Sequence, residues 1–354
     1  MGSRVDDRDT GKVTLVIPNY NGKAFLEECL KSILAGSLVP HIIVVDNAST
    51  DGSRELVKEK FPEADLVALP VNTGFCHAVN AGIHLTKTEF VFLLNNDTTV
   101  EPDCVRALLE TLSQDDQAFS VQAKMLSMRD PSKIDDAGDL YAALGWAFAR
   151  GKGKDARRYE TGGEVFSACA GAAMYRMDGF REIGLFDERH FCYLEDVDIG
   201  YRAKLFGYRN LYEPKAVVRH YGSAVSGSAH NPFKEEMAAG NNRYLLYKNM
   251  PLWQRVLNAP LLWIGRGIKY RYFRKKGLGD AFQKGLARGS VLKERAKAYT
   301  HGSLAEEAGI ARQELEQVNP LYLGEKIPFA FSRLPRYFKV QWELWTGVFK
   351  RLYD

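Results

Sequence analysis

Short apolar runs alternate with amphipathic patterns over the first hundred residues. Four runs rich in β-branched and aromatic residues cover 13–17, 41–46, 64–69 and 90–94. Helical patterns lie between them, over 24–34, 52–61 and 75–85. Strand starts spaced by about 25 residues, with helices between them, are typical of βα units. The pattern therefore predicts an α/β fold, Rossmann-like, with a mainly parallel sheet buried on both faces.

Regular patterns are weaker farther along the chain. Residues 120–165 are polar, contain many glycines and read as loops, and order returns at 166–178. A helix is predicted over 194–207, ending at Gly207, and a strand over 216–222. From about residue 236 the chain reads as amphipathic helices, with breaks predicted at Pro251, Pro260, Gly277–Gly279, Pro320 and Pro328. The predicted division is a flexible N-terminus (1–11), an α/β domain (12–235) and a helical C-terminal region (236–354).

Polar residues follow each of the four apolar runs. The sequences after them are PNYNG, NASTDGS, PVNTG and NNDTT. In parallel sheets, ligands bind outside the carboxyl ends of the strands. Four polar strand ends therefore indicate one binding site at that edge.

Asp97 is the acid at the end of the most apolar run. An unpaired carboxylate costs free energy inside a buried strand, whereas at a strand end it can bind a divalent cation together with a diphosphate. If the strand continues, Asn95 shares the face of Asp97 and adds an oxygen ligand. The alternative is a turn in which the Asn and Asp side chains bond their own backbone.

Three further positions are candidates for nucleotide contacts. Asp46 ends its strand as an acceptor for a base or ribose, and the residues after it predict a capped helix start. Gly74 permits close approach of the backbone to a ligand, and Asn80 lies on the following helix. The stretch has no GxGxxG, so a dinucleotide site is not indicated.

The segment YLEDVDIGYR places three acids at a helix start, where the helix dipole favours them. Glu195 is expected to cap. Asp198 and Arg202 are spaced as an i,i+4 pair, which predicts a structural role. Asp196 has Gly200 at i+4 and so lacks such a partner, which makes it the candidate general base.

His220 follows a predicted strand. Tyr-Gly-Ser comes next, so the imidazole is expected to be reachable; the alternative is a hydrogen-bonded core histidine.

Together these motifs resemble family 2 glycosyltransferases of the GT-A fold, especially bacterial rhamnosyltransferase-like members. The resemblance covers about residues 12–250 and rests on VTLVIPNYNG, IIVVDNASTDGS, NTGFCHAVNAGI, FLLNNDTTV, GLFDERHFCYLEDVDIGYRAKLFGYR and His220, in the family's order. It implies an inverting transferase that uses a nucleoside-diphosphate sugar and Mg²⁺ or Mn²⁺.

The resemblance also implies roles for individual residues. Asn95-x-Asp97 stands at the family's DxD metal motif, where Asn95 replaces the first acid and implies weaker metal affinity. Asp196 matches the presumed base of the ED motif, and His220 matches a histidine that completes the metal site in some members. The residues expected to line the nucleotide are Pro18, Asn19, Tyr20, Asn21, Asp46, Asn72, Gly74, Asn80 and Asn96. Glu195, Asp198 and Arg202 are expected to support the acceptor side.

Composition adds expectations about the compartment. Of 354 residues, 45% are hydrophobic and 26% charged, as in ordinary globular proteins. Five scattered cysteines form no CxxC motif, which favours a reducing compartment. The first residues lack the apolar segment of a signal peptide, and no apolar run reaches the length of a membrane span. A cytoplasmic protein is therefore expected.

The positive charge is concentrated near the C-terminus. Residues 251–300 hold 12 Lys and Arg against 2 Asp and Glu, interleaved with aromatic residues. This composition predicts docking on an anionic membrane, at the inner face of the cell membrane, which would suit a lipid-linked acceptor. The alternatives are packing on the α/β domain or a homodimer. No nucleic-acid motif accompanies the charge.

The leading functional hypothesis is transfer of rhamnose from dTDP-rhamnose to a hydroxyl of a glycan or lipid-linked acceptor, in cell-surface polysaccharide synthesis. A non-catalytic sugar-nucleotide or glycan-binding protein on the same fold is the alternative, and the presence of both Asp97 and Asp196 argues against it. A sugar nucleotidyltransferase is disfavoured because no Gly-rich, basic triphosphate loop follows the first strand.

Overall fold

A computed structural model describes residues 11–222, 230–299, 327 and 329–353 of the chain. Residues 1–10 of the predicted flexible N-terminus lie outside the described residues. So do the predicted breaks at Pro320 and Pro328.

The described chain consists of strands and helices in alternation, followed by helices alone. The strands are β1 Val13–Asn19, β2 His41–Asp46, β3 Asp65–Ala68, β4 Phe90–Leu94, β5 Thr98–Val100, β6 Ala118–Ser127, β7 Ile134–Asp136, β8 Asp139–Ala142, β9 Trp146–Ala149, β10 Gly163–Val165, β11 Ala172–Arg176 and β12 Arg209–His220. The α-helices are α1 Lys23–Leu34, α2 Ser53–Lys60, α3 Phe75–Leu85, α4 Cys104–Ser113, α5 Met177–Ile183, α6 Glu195–Phe206, α7 Pro232–Asn249, α8 Leu252–Lys275, α9 Gly279–Tyr299 and α10 Leu334–Tyr353.

One large mixed sheet organises the α/β part. Its strand order is β10-β12-β6-β11-β4-β1-β2-β3, with β5 and β7 added beside β12 and β6. β1 pairs in parallel with β2 and β4, β2 pairs in parallel with β3, and β6 with β12. β11 runs antiparallel between β4 and β6. The predicted α/β fold is confirmed, with its first four strands in parallel and three helices between them, whereas the sheet as a whole is mixed.

The sheet is buried on both faces, as the continuous apolar strands predict. Successive residues of β1 point to opposite sides: Leu15 and Ile17 pack with α1, α2 and α4, whereas Val16 packs with α3, α5 and α6. Both layers of helices thus fix the strand positions. The carboxyl ends of β1, β2 and β4 are left together at one edge.

The segment predicted as loops contains five short or irregular strands instead, β6 to β10. β6 is the longest of these strands and lies between β12 and β11 in the large sheet. It was not predicted because polar residues interrupt its apolar pattern. Ser120 and Gln122 are buried because they bond Asn210 and the Cys169 backbone. β12 also begins earlier than predicted, at Arg209.

The C-terminal region is helical as predicted, with two corrections. α8 continues through Pro260, where a break was predicted. α7 begins at Pro232, four residues before the predicted boundary. Since α7 and α10 share an apolar core with α6, through Leu245, Tyr337 and Val197, these helices pack directly on the α/β domain. None of the helices in the described ranges is long and apolar enough to cross a membrane.

Candidate active site

The ends of β1, β2 and β4 are joined by buried polar side chains. Asn19 Nδ2 donates to Asp46 Oδ2 (3.1 Å) and to Ser49 Oγ (3.1 Å). Asn96 Nδ2 donates to Asn19 Oδ1 (2.7 Å). Asn19 and Asn96 are 1% and 6% exposed, so they brace the strand ends from inside. Asn19, Asp46 and Asn96, all predicted to line the nucleotide, therefore lie together and form a supporting layer.

Asp46 is completely buried, which corrects the prediction that its carboxylate faces a base or ribose. Its oxygens accept from Asn19, from the Ser49 N–H (3.0 Å) and from Arg54 Nε (2.5 Å). Burial would raise the pKa of Asp46, but the bonds to Ser49 and Arg54 outweigh burial and lower it. Asp46 is therefore an ionised anchor for the turn after β2.

An exposed layer lies over these anchors. Tyr20, Asn21 and Asn72 are exposed and Pro18 is half-buried, as expected for a surface that meets a ligand. Asn21 has a positive φ of 49°, and its Oδ1 accepts from the Thr50 N–H (2.8 Å). The exposed layer is thus held in shape before any ligand arrives.

Two positions predicted for the nucleotide have contacts within the protein instead. At Gly74, with φ of 89°, an added Cβ would lie 2.5 Å from the ring of Phe191, so the close approach is to this ring. Asn80 is 1% exposed, donates to the carbonyl of Phe186 (2.8 Å) and to Glu188 (3.0 Å), and accepts from the Phe186 N–H. Asn80 therefore joins α3 to the loop before α6.

Asp97 lies in a turn between β4 and β5. β4 ends at Leu94, and the Thr98 hydroxyl donates to the carbonyl of Asn95 (2.7 Å). The prediction that Asn95 and Asp97 share a strand face is therefore wrong. Asn95 Nδ2 instead lies beside Gly171, 3.0 Å from where a Cβ would stand.

His220 is brought to Asp97 by the pairing of β12 with β5. Its Nε2 lies 3.2 Å from Asp97 Oδ1, and its Nδ1 lies 2.7 Å from Asp135 Oδ2. Lys152 in turn bonds Asp135 (2.8 Å). Burial lowers the pKa of His220, but the two flanking carboxylates outweigh burial and raise it to about 9. The alternation of two acids and two cations, from buried Asp97 to exposed Lys152, keeps this cluster electrically balanced.

The donor set at Asp97 fits a hard divalent cation. In the described ranges no three His, Cys, Asp or Glu side chains form a ready-made cage. A Mg²⁺ or Mn²⁺ ion that also binds substrate phosphates needs only one or two protein carboxylates. Asp97 supplies an oxygen donor of the kind that both ions prefer, and His220 would add a nitrogen donor, whose proton at Nε2 metal binding would displace.

Asp196, at the start of α6, is half-buried and stands among other carboxyl groups. Its Oδ1 accepts from the Val197 N–H (2.7 Å), and the thiol of Cys169 also bonds it. Burial outweighs these bonds and raises the pKa of Asp196 to about 6. Burial likewise raises the pKa of Asp136 to about 7 and that of Asp139 well above its usual range. A carboxylate with a pKa near neutrality suits a general base.

The loop before α6 has a strained backbone, and side chains of α7 and α9 hold it in place by hydrogen bonds. Phe191, Tyr193 and Leu194 all have positive φ, which is costly for such side chains. On α7, Asn241 Nδ2 donates to the carbonyls of His190, Cys192 and Tyr193 at 2.8–2.9 Å. On α9, Arg288 bonds the Asn241 Oδ1 (2.6 Å) and the Arg189 carbonyl (2.9 Å). The C-terminal helices therefore fix the approach to Asp196.

Asp198 and Arg202 form the predicted pair, and both are completely buried. Lys248 (2.9 Å) and Asn249 (2.8 Å) of α7 also bond Asp198. Glu195 is 7% exposed, its Oε2 has no hydrogen-bond partner in the described part of the chain, and burial raises its pKa well above the usual range.

Several residues of this site were not predicted from the sequence. Asp135, Asp136, Asp139 and Lys152 lie in the segment read as loops, where the acidic run KIDDAGD was the available signal. Arg54, Asn241 and Arg288 offered no local signal, since each acts on a segment distant in sequence.

Comparisons with known proteins identify relatives of the α/β domain. The family model described as "Glycosyl transferase family 2" matches residues 14–184. The N-acetylglucosaminyl-diphospho-decaprenol L-rhamnosyltransferase of Mycobacterium tuberculosis is 27% identical over 286 residues, covering 73% of this chain and 90% of the relative. The poly-beta-1,6-N-acetyl-D-glucosamine synthase of Staphylococcus epidermidis is 23% identical over 58% of this chain and 48% of its own length.

Solved structures share the fold. GalNAc-T7, crystallised with UDP, GalNAc and Mn²⁺, superimposes with a TM-score of 0.56 and 14% identity, covering 68% of this chain and 48% of that one. The mannosyltransferase PcManGT of Pyrobaculum calidifontis, in complex with GDP-Man and Mn²⁺, gives a TM-score of 0.51 and 18% identity, covering 97% and 87%. Residues 14–184 of the α/β domain are therefore a glycosyl transferase family 2 domain, which indicates that the protein is a glycosyltransferase.

Proposed function

We propose that the enzyme transfers rhamnose from dTDP-rhamnose, with inversion, to a hydroxyl group of a glycan or lipid-linked acceptor in cell-surface polysaccharide synthesis. One observation carries this proposal. Asp97 and His220 form a pair that could bind a divalent cation, and Asp196 is a separate carboxylate whose pKa is near neutral. The choice of rhamnose is supported by the name of the Mycobacterium tuberculosis relative.

On the donor side, Tyr20, Asn21 and Asn72 present exposed polar and aromatic groups to the nucleotide, over the layer built by Asn19 and Asp46. Asp97 and His220 would hold Mg²⁺ or Mn²⁺, with Asn95 as a further candidate ligand. A bound divalent ion supplies positive charge that stabilises the leaving nucleoside diphosphate.

On the acceptor side, Asp196 takes the proton of the attacking hydroxyl. The acceptor oxygen forms a bond to the anomeric carbon while the bond from that carbon to the diphosphate oxygen breaks. The electron pair of the broken bond leaves with the nucleoside diphosphate. Attack and departure occur on opposite faces of the sugar, so one displacement inverts the anomeric carbon. Glu195, whose pKa is raised by burial, is proposed to support this side in its neutral form.

Replacing Asp97 tests the donor side. Asp97→Ala should abolish the Mn²⁺-dependent part of dTDP binding in calorimetry, because the ion loses its carboxylate ligand. The melting curve should stay near that of wild type, since His220 retains Asp135 as a partner. Asp103→Ala, at an exposed position before α4, is the matched control. Unchanged Mn²⁺-dependent affinity in Asp97→Ala would reject the assignment.

We further propose that the enzyme is cytoplasmic and docks on the inner face of the membrane through one aromatic surface, the docking face. On α10 the exposed residues Phe338, Trp342, Trp345 and Phe349 repeat at helical spacing. On α8, Leu252, Val256 and Trp263 are exposed as well. The rings of Trp253 and Phe338 lie 5.5 Å apart, so the two helices form one surface. Exposed apolar side chains beside cations suit an anionic lipid interface.

Vesicle co-sedimentation tests the docking face. Binding of wild type should increase with the fraction of anionic lipid and decrease with salt, because exposed charges are screened over about 10 Å at 0.1 M. Trp342→Glu should weaken binding severalfold by placing an anion in the face. Leu85→Glu, at an exposed apolar position on α3, should bind like wild type. Equal binding to neutral vesicles, or equal binding by both variants, would contradict the proposal.

A further inference from the structure

A cavity of about 540 Å³ lies between helices α7, α8 and α9 and the hairpin of β8 and β9. This volume is within the range typical of small-molecule sites. Much of its wall is apolar and includes Leu144, Trp146, Leu262, Trp263, Phe282 and Leu286. It is separate from the strand ends that form the donor side.

The same cavity carries a strong excess of positive charge. Five cationic side chains line it: Arg243, Arg255, Arg266, Lys269 and Lys293. Glu235 is the single acid among the described lining residues, and it already bonds His230 (2.7 Å). The Nε of Arg255 is buried without a hydrogen-bond partner in the described ranges. A buried guanidinium donor without a partner is costly, which favours an anion in this cavity.

Packing explains part of this arrangement. Arg255 and Lys293 lie 5.3 and 5.6 Å from the centre of the Tyr247 ring, and Lys269 lies 5.9 Å from that of Trp146. Cation–π contacts position these groups, and Lys293 also lies 3.9 Å from Glu294. An apolar wall combined with an excess of cations matches a ligand with a hydrocarbon chain and a phosphate group.

The β8–β9 hairpin connects the cavity with the acceptor side. Asp139, at the start of β8, lies near enough to Asp196 for the two charges to raise the pKa of Asp139 further. β8 is four residues long, which corresponds to about 13 Å, and the cavity wall begins two residues after its end, at Leu144. Trp146 Nε1 donates to the Gly265 carbonyl (3.1 Å) and fixes the hairpin on α8.

We infer that this cavity binds the phosphate group and the adjoining hydrocarbon of a lipid-linked acceptor. The inference rests on the proposed function in treating the lipid as the acceptor, but binding itself can be measured without catalysis. The cavity adjoins the docking face at Trp263, but it differs from that face because it lies between helices and takes a single lipid.

Binding of geranylgeranyl diphosphate, measured by calorimetry without vesicles or metal, tests the inference. Wild type should bind this probe at least about tenfold more tightly than geranylgeraniol or inorganic diphosphate, because both halves of the ligand contribute. Arg266→Ala/Lys269→Ala should raise the Kd about tenfold or more. Arg271→Ala/Lys275→Ala removes equal charge from the same helix outside the cavity and should leave the Kd unchanged.

A second pair of variants separates the cavity from general charge effects. Ala259→Trp fills the cavity from an exposed helical position and should block the probe. Leu257→Trp, exposed on the same helix outside the cavity, should not. Equal Kd values across the variants, or equal affinity for the alcohol or for inorganic diphosphate, would overturn the inference. Dependence of dTDP binding on Mn²⁺ is measured in parallel, so a failure of the donor-side proposal is recognised separately.

Discussion

Asp196→Asn is expected to lower kcat about 10²- to 10⁴-fold, the usual contribution of a general base. The side chain keeps its size and its acceptor oxygen toward the Val197 N–H, but it can no longer take a proton. Donor affinity should be nearly unchanged, because the carboxylate acts on the acceptor hydroxyl and lies apart from Asp97. Steady-state kinetics with the dTDP-sugar, together with calorimetry of dTDP, would measure both quantities.

The pH profile gives a second measure of the same role. Burial raises the pKa of Asp196 to about 6, and only the ionised form accepts a proton. Activity should therefore fall as pH decreases through about 6, and this acidic limb should be absent in Asp196→Asn. Asp136, with its pKa raised by burial to about 7, titrates nearby. Asp136→Asn should retain the limb if Asp196 causes it.

The opposite result would reassign the roles. If Asp196→Asn stays within a few-fold of wild type while Asp136→Asn loses the acidic limb, the base belongs to the cluster of β7 and β8. The two variants differ in one carboxyl each and keep the volume of the side chain, so the comparison is balanced.

The strands and the ion pair that were predicted correctly are those that depend on short stretches of sequence. The apolar runs at β1, β2 and β4 needed no partner to be recognised, because a strand buried on both faces is apolar throughout. The convergence of Asn19, Asp46 and Asn96 followed from the geometry of parallel sheets. The Asp198–Arg202 pair followed from helical spacing.

Predictions failed where a distant segment decides the environment of a side chain. Asp46 was expected to face a ligand, but Arg54, in the first turn of α2, bonds its carboxylate and covers it. Asn80 has an amide group that could bind a ligand, but this group donates a hydrogen bond to the carbonyl of Phe186 instead. Pro260 lies within α8, because packing of this helix on the protein outweighs its local preference. Such effects depend on tertiary contacts that no short window of sequence contains.

The C-terminal helices illustrate the same limit and its functional consequence. From their charge and aromatic content we predicted that these helices dock on a membrane. In the structure they also contact the loop before α6. Asn241 and Arg288 together hold the carbonyl groups of Arg189, His190, Cys192 and Tyr193. Because this loop leads directly into Asp196, the helical region helps to define the acceptor side as well as to contact lipid in our proposals.

Asp198→Asn should reduce the free energy of unfolding by about 3–5 kcal/mol, the usual cost of removing one partner from a buried ion pair. The carboxylate is completely buried and bonds Arg202, Lys248 and Asn249, so its loss leaves buried Arg202 without its carboxylate partner and Lys248 with Asp187 alone. The helical pair alone predicts a structural role but not these further bonds, because Lys248 and Asn249 come from α7, about fifty residues away. Denaturant unfolding would measure the loss.

The stability loss has an expected pH dependence. The charges of Lys248 and Arg202 outweigh burial and lower the pKa of Asp198 below its usual value of 3.8. A lowered pKa contributes stability above the unfolded value, and the contribution disappears as pH falls through the folded value. The difference between wild type and Asp198→Asn should therefore be constant from about pH 8 to pH 5 and decrease only in stronger acid.

Two controls separate a structural role for Asp198 from a catalytic one. Asp65→Asn, at an exposed ion pair with His41, should leave the unfolding curve nearly unchanged. Adding Lys248→Met to Asp198→Asn should cost less than the sum of the single changes, since both changes break the same Lys248–Asp198 ion pair. Below its melting transition, Asp198→Asn should keep kcat within a few-fold of wild type. A variant that is fully stable yet inactive would show that Asp198, and not Asp196, takes part in the reaction.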